Sequence, residues 1–322
     1  MHEYKKEAQA IKTALEKAVR ILVISHQKPD GDTLGSGTAW INYLLALGKD
    51  VTAFALDKVP EYLSYLPNSW RYTTDENVFN QLYDLIIILD SGSLQYAGVD
   101  FLLTKTPKSY QLINIDHHTT NPRYGDINLV IPSASSTCEI TSRYFNFYQI
   151  KITPGIATSL LTGIMTDTSS FGNPATNYQV VAIASQLVND GADLFKIVQK
   201  TLRNQNVNKL RLWGKALSRL KINNKYKFAT TYITQKDLKE EKADPDVMEG
   251  LANYLAVLNE ANAVMILRET ENGQLKGSLR TPFAKIDLSR LAQILGGGGH
   301  KKASGFTIDG KIEITADKWH VA

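Results

Sequence analysis

Four of the six histidines lie in short polar clusters that could bind a metal ion or a phosphate group. Residues 26–32, HQKPDGD, hold one imidazole and two carboxylates, residues 116–118 are Asp-His-His, and residues 296–300 are four glycines followed by a histidine. Mixed imidazole and carboxylate ligands suit Mn²⁺, Mg²⁺, Fe²⁺ or Zn²⁺ rather than an ion that prefers thiolates. An EF-hand is excluded, because its ligand spacing and terminal glutamate are missing.

Short apolar segments precede these clusters and predict the strands that position them. Residues 21–24 precede His26, residues 85–89 precede Asp90, and residues 112–115 precede Asp116. Continuous apolar strands that alternate with helices are typical of a parallel sheet covered on both faces. The carboxyl ends of such strands form the ligand crevice. We therefore expect the three clusters to meet at one edge of one sheet.

The chain has 322 residues, a length typical of roughly two domains. The predicted fold class is α/β, with a parallel sheet flanked by helices in residues 1–190, a basic helical linker in residues 191–220, and a smaller α/β domain in residues 221–322. Strands are predicted over 21–24, 51–56, 85–89, 112–115, 228–233, 263–268, 275–279 and 305–308. Helices are predicted over 3–20, 38–47, 153–166, 248–258 and 288–295, and residues 177–220 are expected to be helical without a strand.

The charge is unevenly distributed along the chain. Residues 1–190 carry 14 Lys and Arg against 18 Asp and Glu, whereas residues 191–220 carry 7 against 1. An acidic half that binds a polyanion needs bound cations to neutralise its carboxylates. The basic segment would favour an anionic partner, and a solvated helix face between domains explains it equally well.

Cellular location and membrane association can also be predicted from the sequence. No apolar run exceeds five residues, whereas a membrane span needs about 20. The N-terminal residues lack the apolar core of a secretory signal. The single cysteine, Cys138, cannot form an internal disulfide. We expect a cytoplasmic protein that does not associate with membranes, and a structural role for Cys138.

In chain order, these motifs resemble those of the DHH phosphoesterases. Residues 26–32, Asp90, residues 116–118, and Asp167 within MTDT resemble the four motifs of the family's N-terminal domain. Residues 296–300, followed by Ala303 and Gly305, resemble the signature of the associated C-terminal DHHA1 domain. Within that superfamily, the chain is most similar to the NrnA-like oligoribonucleases/pAp phosphatases.

The resemblance implies a centre of two divalent metal ions, with Mn²⁺ the expected metal. The implied ligands are His26, Asp30 and Asp90 for one ion, and Asp32, Asp90, His117 and Asp167 for the other. Asp90 would bridge the two ions. Two cations about 3.5–4 Å apart can stabilise an in-line displacement at phosphorus and lower the pKa of a water to about 7. No covalent nucleophile is then needed.

The remaining implied residues act on the substrate. Asp116 would orient a neighbouring ligand, and His118 would lie beside the phosphate; both are expected to be catalytic. The implied substrate-binding residues are His118, Arg280, Gly297, Gly298, Gly299 and His300. Four glycines could form a helix cap and turn, but they also allow close backbone approach to phosphate oxygens. The chain departs from the family pattern at Thr281 and Lys302, which leaves substrate details open.

The expected function is hydrolysis of short oligoribonucleotides to mononucleotides and of pAp to AMP. The expected partners are short single-stranded RNA and small nucleotides such as pAp and pApA, and a homodimer stays open. An enzymatic alternative is a phosphodiesterase for pApA or cyclic di-AMP. A non-enzymatic alternative is a nucleotide-sensing or RNA-binding protein.

Overall fold

Six parallel strands form the central sheet of the first of two compact units, Met1–Asn204 and Gln205–Ala322, in the computed structural model. The structure describes residues 1–107, 110–202, 207–243, 248–283, 285–315 and 319–322. The six strands are β1 (Arg20–Ser25), β2 (Asp50–Phe54), β3 (Tyr72–Thr73), β4 (Leu85–Leu89), β5 (Gln111–Asp116) and β6 (Ile127–Val130). Their order across the sheet is β3-β2-β1-β4-β5-β6.

The helices of the first unit cover both faces of this sheet. They are α1 (Lys5–Lys17), α2 (Gly31–Ala46), α3 (Leu94–Ala97), α4 (Leu102–Lys105), α5 (Thr137–Phe147), α6 (Pro154–Asp167), α7 (Tyr178–Asn189) and α8 (Leu194–Ile197). Alternate residues of β1 belong to two different hydrophobic clusters: Ile21 and Val23 pack in one, Leu22 and Ile24 in the other. Burial on both faces explains why the strands read as continuous apolar segments, and the predicted parallel sheet is confirmed.

The predicted start of α2 at residue 38 is wrong, because the helix begins at Gly31. The side chain of Asp30 accepts hydrogen bonds from the backbone N–H groups of Asp32 and Thr33 and caps the helix. Three glycines in the first two turns, Gly31, Gly35 and Gly37, concealed this helix in the sequence. A Cβ at Gly35 would lie 2.5 Å from the backbone oxygen of Ser159 in α6, so this glycine allows α2 and α6 to pack closely.

Two strands of the sheet were not predicted. The edge strand β3 has only two residues, and β6 is half-buried at its first two positions. Neither segment offers the continuous apolar run that revealed the central strands.

The second unit contains a mixed six-stranded sheet and a separate two-stranded sheet. Its helices are α9 (Val207–Ser218), α10 (Gln235–Glu241), α11 (Met248–Leu255) and α12 (Leu288–Ile294). Its strands are β7 (Lys221–Asn223), β8 (Phe228–Ile233), β9 (Ala263–Glu269), β10 (Gln274–Arg280), β11 (Gly298–His300), β12 (Ala303–Asp309), β13 (Ile312–Ile314) and β14 (Trp319–Val321). The order of the larger sheet is β11-β12-β10-β9-β8-β7, and only β8 and β9 run parallel. The α/β class predicted for this region is confirmed.

Part of the basic segment 191–220 stabilises the second unit internally. Leu212 and Ala216 of α9 pack in its core. The ammonium group of Lys215 lies 2.7 Å from Glu240 Oε2, and Arg219 Nη1 lies 2.6 Å from Asp237 Oδ2, so both cations are paired with carboxylates of α10. This pairing agrees with the structural alternative for the segment, whose role as a linker stays a prediction.

Among the helices of the described residues, none combines the length and apolar character that a membrane span requires.

Candidate metal centre

Three neighbouring strands deliver polar residues to the same edge of the first sheet. His26 follows β1, Asp90 follows β4, and Asp116 is the last residue of β5. The strand order reverses between β1 and β4, since β2 lies on the far side of β1 and β5 on the far side of β4. Ligands of open α/β sheets bind at such a reversal point, outside the carboxyl ends of the strands. The expected convergence is therefore observed.

Asp90 lies between two groups of side chains that could hold a metal ion. Its Oδ2 atom is 3.4 Å from His26 Nε2, and its Oδ1 atom is 3.5 Å from His117 Nε2. Each oxygen thus faces a different imidazole. Asp90 has a positive φ of 57°, which is uncommon outside glycine.

The side chains form groups that fit divalent cations. His26, Asp30 and Asp90 form one group, Asp32, His117 and Asp167 form a second, and His118 joins Asp90 and His117 in a third; in each group the ligand atoms lie within 4.8 Å of one another. His117 Nε2 is 3.7 Å from Asp167 Oδ2 and 4.0 Å from Asp32 Oδ2. These separations exceed hydrogen-bond length. Nitrogen and oxygen donors at such spacing suit ions of the Mn²⁺, Mg²⁺, Fe²⁺ and Zn²⁺ class.

The ring of His26 is held with one nitrogen directed at the carboxylates. Its Nδ1 atom donates a 2.7 Å hydrogen bond to the backbone oxygen of Gln27. The Nε2 atom, 3.4 Å from Asp90 and 3.6 Å from Asp30, is the ring nitrogen that could bind a metal ion. A histidine ligand characteristically donates its other N–H to such an acceptor.

The N-terminus of α5 binds the carboxylate of Asp32. The backbone N–H groups of Thr137 and Cys138 donate to Asp32 Oδ2 and Oδ1 over 2.7 and 2.9 Å, where the helix dipole favours negative charge. The hydroxyl of Thr137 also donates to Asp90 Oδ1 over 3.1 Å. The anion at this helix start is thus the chain's own Asp32. The role of Thr137 was missed.

Close packing of α6 against α2 brings Asp167 to the site and leaves room for no side chain at Gly163. A Cβ there would lie 2.2 Å from Cys138 Sγ and 2.8 Å from Asp32 Oδ1. Burial, followed by the charge of Asp32, raises the pKa of the Cys138 thiol well above its usual value. A buried neutral thiol is a poor nucleophile, which agrees with the structural role predicted for Cys138.

Asp116 is hydrogen-bonded to His118. Its Oδ1 atom accepts from His118 Nδ1 over 2.7 Å, and its Oδ2 atom accepts from Asn121 Nδ2 over 2.6 Å. Asp116 is fully buried, whereas the side chain of His118 is 37% exposed. The residue that Asp116 orients is therefore His118, and Asn121 is a further contact that the sequence analysis did not identify.

Crowded carboxylates make the site unfavourable without cations. Burial raises the pKa of Asp167 to about 7, with Asp90 and Asp30 adding to the effect. Burial would lower the pKa of His26 and His117, but their carboxylate neighbours outweigh it and raise the values to about 11 and about 10. Burial also opposes ionisation of Asp90, yet the two imidazoles lower its pKa below the usual value. Positive charge is thus favoured among these carboxylates, and a bound metal ion would supply it.

Except for His118, the predicted substrate-binding residues lie in the second unit, on β10 and β11 or directly before β11. Arg280 ends β10 and His300 ends β11, and both pair with Ala303 of the intervening strand β12. Arg280 Nε donates to Asn253 Oδ1 over 3.0 Å, and Nη1 donates to the backbone oxygen of Leu279 over 2.9 Å. Arg280 and His300 therefore lie near each other at one end of this sheet.

The glycine run is only partly the loop that the sequence predicted. Gly298 and Gly299 belong to β11 and pair with Gly305 and Ser304, so part of their backbone is bonded within the sheet. A Cβ at Gly297 would lie 2.1 Å from the backbone oxygen of Gly305. At this position the glycine is required for close packing of the chain itself.

Two family models match this chain. The DHH family, N-terminal domain, matches residues 20–164, and the DHHA1 domain matches residues 225–317. The chain is 31% identical to the bifunctional oligoribonuclease and PAP phosphatase NrnA of Thermus thermophilus over 90% of this chain and 84% of that protein. It is 24% identical to the cyclic-di-AMP phosphodiesterase GdpP of Geobacillus thermodenitrificans over 91% of this chain and 45% of that protein.

A solved structure has the same arrangement of elements. The crystal structure of an exopolyphosphatase-related protein from Bacteroides fragilis superimposes with a TM-score of 0.88 at 27% sequence identity, covering 95% of this chain and 92% of the other.

Proposed function

The chain belongs to the DHH family, and from this membership we propose that it is a two-metal phosphoesterase that hydrolyses short oligoribonucleotides to mononucleotides and pAp to AMP. The observation that carries the proposal is the position of Asp90, whose two carboxylate oxygens face the imidazoles of His26 and His117. A carboxylate placed in this way would help to hold two closely spaced ions, the arrangement used in two-metal phosphoryl transfer. The similarity to the Thermus NrnA over most of both chains supports the substrate class.

The residues that would hold the cations are His26, Asp30, Asp32, Asp90, His117 and Asp167. Mn²⁺ is the proposed metal, since this donor set suits it and the family resemblance implies it. When bound, a pair of such ions supplies Lewis acidity toward phosphoryl oxygens and a nucleophile at neutral pH. The protein's part is to hold the carboxylates at short range, as α5 does for Asp32.

His118 is proposed to hold and transfer a proton at Nε2. Asp116 binds the Nδ1–H, so Nε2 is the atom left for the substrate. The hydrogen bond with Asp116 is the largest cause that raises the pKa of His118 above its usual value. A protonated imidazole beside the leaving oxygen can act as a general acid. Arg280 and His300 are proposed to bind substrate phosphate, for which a guanidinium offers a planar set of donors.

A second candidate substrate class comes from the similarity to GdpP. That relative is named a cyclic-di-AMP phosphodiesterase, and this chain matches about half of it. The same centre is suited to cleaving pApA or cyclic di-AMP, because each contains a phosphodiester between ribonucleotides.

A product time course would separate these substrates. Purified protein with Mn²⁺ is given diribonucleotides to pentaribonucleotides, pAp, pApA and cyclic di-AMP, each with a parallel reaction in EDTA. We expect mononucleotides from the short RNAs, AMP from pAp, and no product in EDTA. Tight binding of all ligands without turnover would contradict the proposal and favour a nucleotide sensor.

We also propose a cytoplasmic location, which the single buried cysteine and the nucleotide substrates support. A homodimer stays a prediction, and light scattering at several protein concentrations would test it.

A further inference from the structure

Tyr96 lies beside the metal centre and is left half in solvent. Its ring centroid is 4.9 Å from that of His26, with an interplanar angle of 42°, and 6.3 Å from that of His118, with an angle of 61°. The residue is 45% exposed. Within the part of the chain that the structure describes, Tyr96 belongs to none of the hydrophobic clusters. The ring therefore contributes little to the core.

The backbone that carries Tyr96 is firmly held. The N–H of Tyr96 donates to Ser93 Oγ over 3.0 Å, which caps α3, and Ser91 Oγ donates to the backbone oxygen of Ser93 over 2.9 Å. Leu94 and Ala97, on the same short helix, pack in or against the core. These contacts fix α3 directly after Asp90, so one turn of chain delivers both the central carboxylate and the aromatic ring.

Covering His26 does not by itself explain a tyrosine at this position. The side chain of His26 is only 3% exposed, and its ring is already oriented through the hydrogen bond to Gln27. A smaller apolar side chain could shield His26 without leaving a large aromatic surface in water, where exposure of apolar area is unfavourable. Next to His26 and His118, the exposed face of this ring offers a surface that a bound ligand can cover.

We propose that Tyr96 is a substrate-binding residue whose ring stacks on the base of the nucleotide whose phosphate lies at the metal centre. This inference rests on the proposed function. In a nucleotide, one sugar separates the phosphate from the base, so a ring next to His26 and His118 lies within reach of the base. Aromatic stacking tolerates every base because each has a π-face. Tyr96 would thus add affinity for ribonucleotides without selecting among sequences.

The binding of AMP and of ribose 5-phosphate tests the base contact without requiring turnover. Both are titrated by calorimetry, in Mn²⁺, into the wild type and into Tyr96→Leu and Tyr96→Phe. Because the base loses its stacking partner, we expect Tyr96→Leu to bind AMP about 5- to 150-fold more weakly than the wild type. Its affinity for ribose 5-phosphate should be unchanged. Tyr96→Phe should bind AMP like the wild type. Phe101→Leu, which alters an exposed aromatic residue outside the centre, is the matched control.

Four results would overturn the inference. Equal weakening of both ligands by Tyr96→Leu, or of neither, would show that the ring does not contact the base. Loss of AMP binding in Tyr96→Phe would assign the contact to the hydroxyl rather than to stacking. Weaker Mn²⁺ binding by Tyr96→Leu would show that the ring acts through His26. Failure of the wild type to hydrolyse diribonucleotides would instead contradict the proposed function, and the AMP titration reports separately on Tyr96.

Discussion

The hydroxyl of Thr137 donates a 3.1 Å hydrogen bond to Asp90 Oδ1 in the buried floor of the metal centre. The backbone N–H of the same residue donates to Asp32 Oδ2 over 2.7 Å. Thr137 thus contacts two carboxylates that come from different strand ends. Because its backbone belongs to the first turn of α5, the position of that helix sets the spacing between Asp32 and Asp90.

Replacing Thr137 should weaken metal binding while leaving the fold intact. Thr137→Val removes the hydroxyl at nearly constant volume, and we expect the Mn²⁺ affinity to fall about 10- to 100-fold, as for other residues that orient metal ligands. Calorimetric titration with Mn²⁺ measures this directly. Thr137→Ser keeps the hydroxyl and should bind Mn²⁺ within about threefold of the wild type; a Ser variant as weak as the Val variant would contradict the role of the hydroxyl.

Removing Asp90 should abolish hydrolysis, because its two oxygens face both imidazoles. We expect Asp90→Ala to reduce turnover of a diribonucleotide by more than about 100-fold, exceeding the loss from an indirect contact. Metal analysis of the dialysed variant should find fewer than two ions per chain. Asp100→Asn, an exposed carboxylate outside the site, is the control. Near-normal turnover by Asp90→Ala would contradict the proposed role of Asp90 as a metal ligand.

Binding of Mn²⁺ should stabilise the first unit against heat. The metal-free centre holds buried carboxylates whose charges repel, and burial followed by Asp90 and Asp167 raises the pKa of Asp32 well above its usual value. At a free Mn²⁺ concentration about 100 times the dissociation constant, each occupied site should add about 2.7 kcal/mol to the free energy of unfolding. Thermal denaturation with and without EDTA measures the shift. Asp90→Ala should lose most of it, and an equal shift in both proteins would place the metal elsewhere.

Truncation of Arg280 should mainly weaken substrate binding. We expect Arg280→Ala to raise the KM for a diribonucleotide at least tenfold, the size of a lost phosphate contact of about 1.4 kcal/mol, with kcat changed less. The KM should stay raised in Arg280→Lys, since an ammonium group lacks the planar, forked donors of a guanidinium. Asn253→Ala, which frees Arg280 Nε from its 3.0 Å hydrogen bond, should raise KM by a smaller factor. A selective loss of kcat in Arg280→Ala would assign this residue to the chemical step.

The ion pair between Asp237 and Arg219 should make the second unit less stable in acid. Burial alone would raise the pKa of Asp237, but hydrogen bonds from Arg219 and Thr234 lower it from 3.8 to about 2. A carboxylate whose pKa is lower in the folded than in the unfolded protein stabilises the fold at pH values above its unfolded pKa. This contribution disappears as the pH falls from about 4 to about 2. We expect Asp237→Asn to lower the free energy of unfolding by about 2 kcal/mol at pH 7 and by less at pH 3.

Urea denaturation at both pH values measures that difference. Glu260→Gln, which replaces an exposed carboxylate, should change stability little at either pH. A destabilisation by Asp237→Asn that is the same at pH 7 and pH 3 would show that the charge of Asp237 does not contribute.

The central strands and the polar clusters at their ends could be predicted from the sequence because their signals are local. A strand buried on both faces must be apolar throughout, as in β4, and a parallel sheet places the residues that follow its strands at one edge. The membership of His26, Asp90 and His117 in one site follows from these two rules. The order of the motifs along the chain, with the glycine run near its end, then indicated the family.

Contacts between distant segments could be found only in the tertiary structure. Thr137 and Asp32 are 105 residues apart, and nothing in either local sequence indicates that one helix start would bind the other's carboxylate. The need for glycine at Gly35 and Gly163 becomes visible only once α2, α5 and α6 are packed together. Likewise, Tyr96 is an ordinary exposed tyrosine until its ring is placed beside His26. Periodicity reports which face of an element is buried, but the partner of each polar group depends on which elements pack against it.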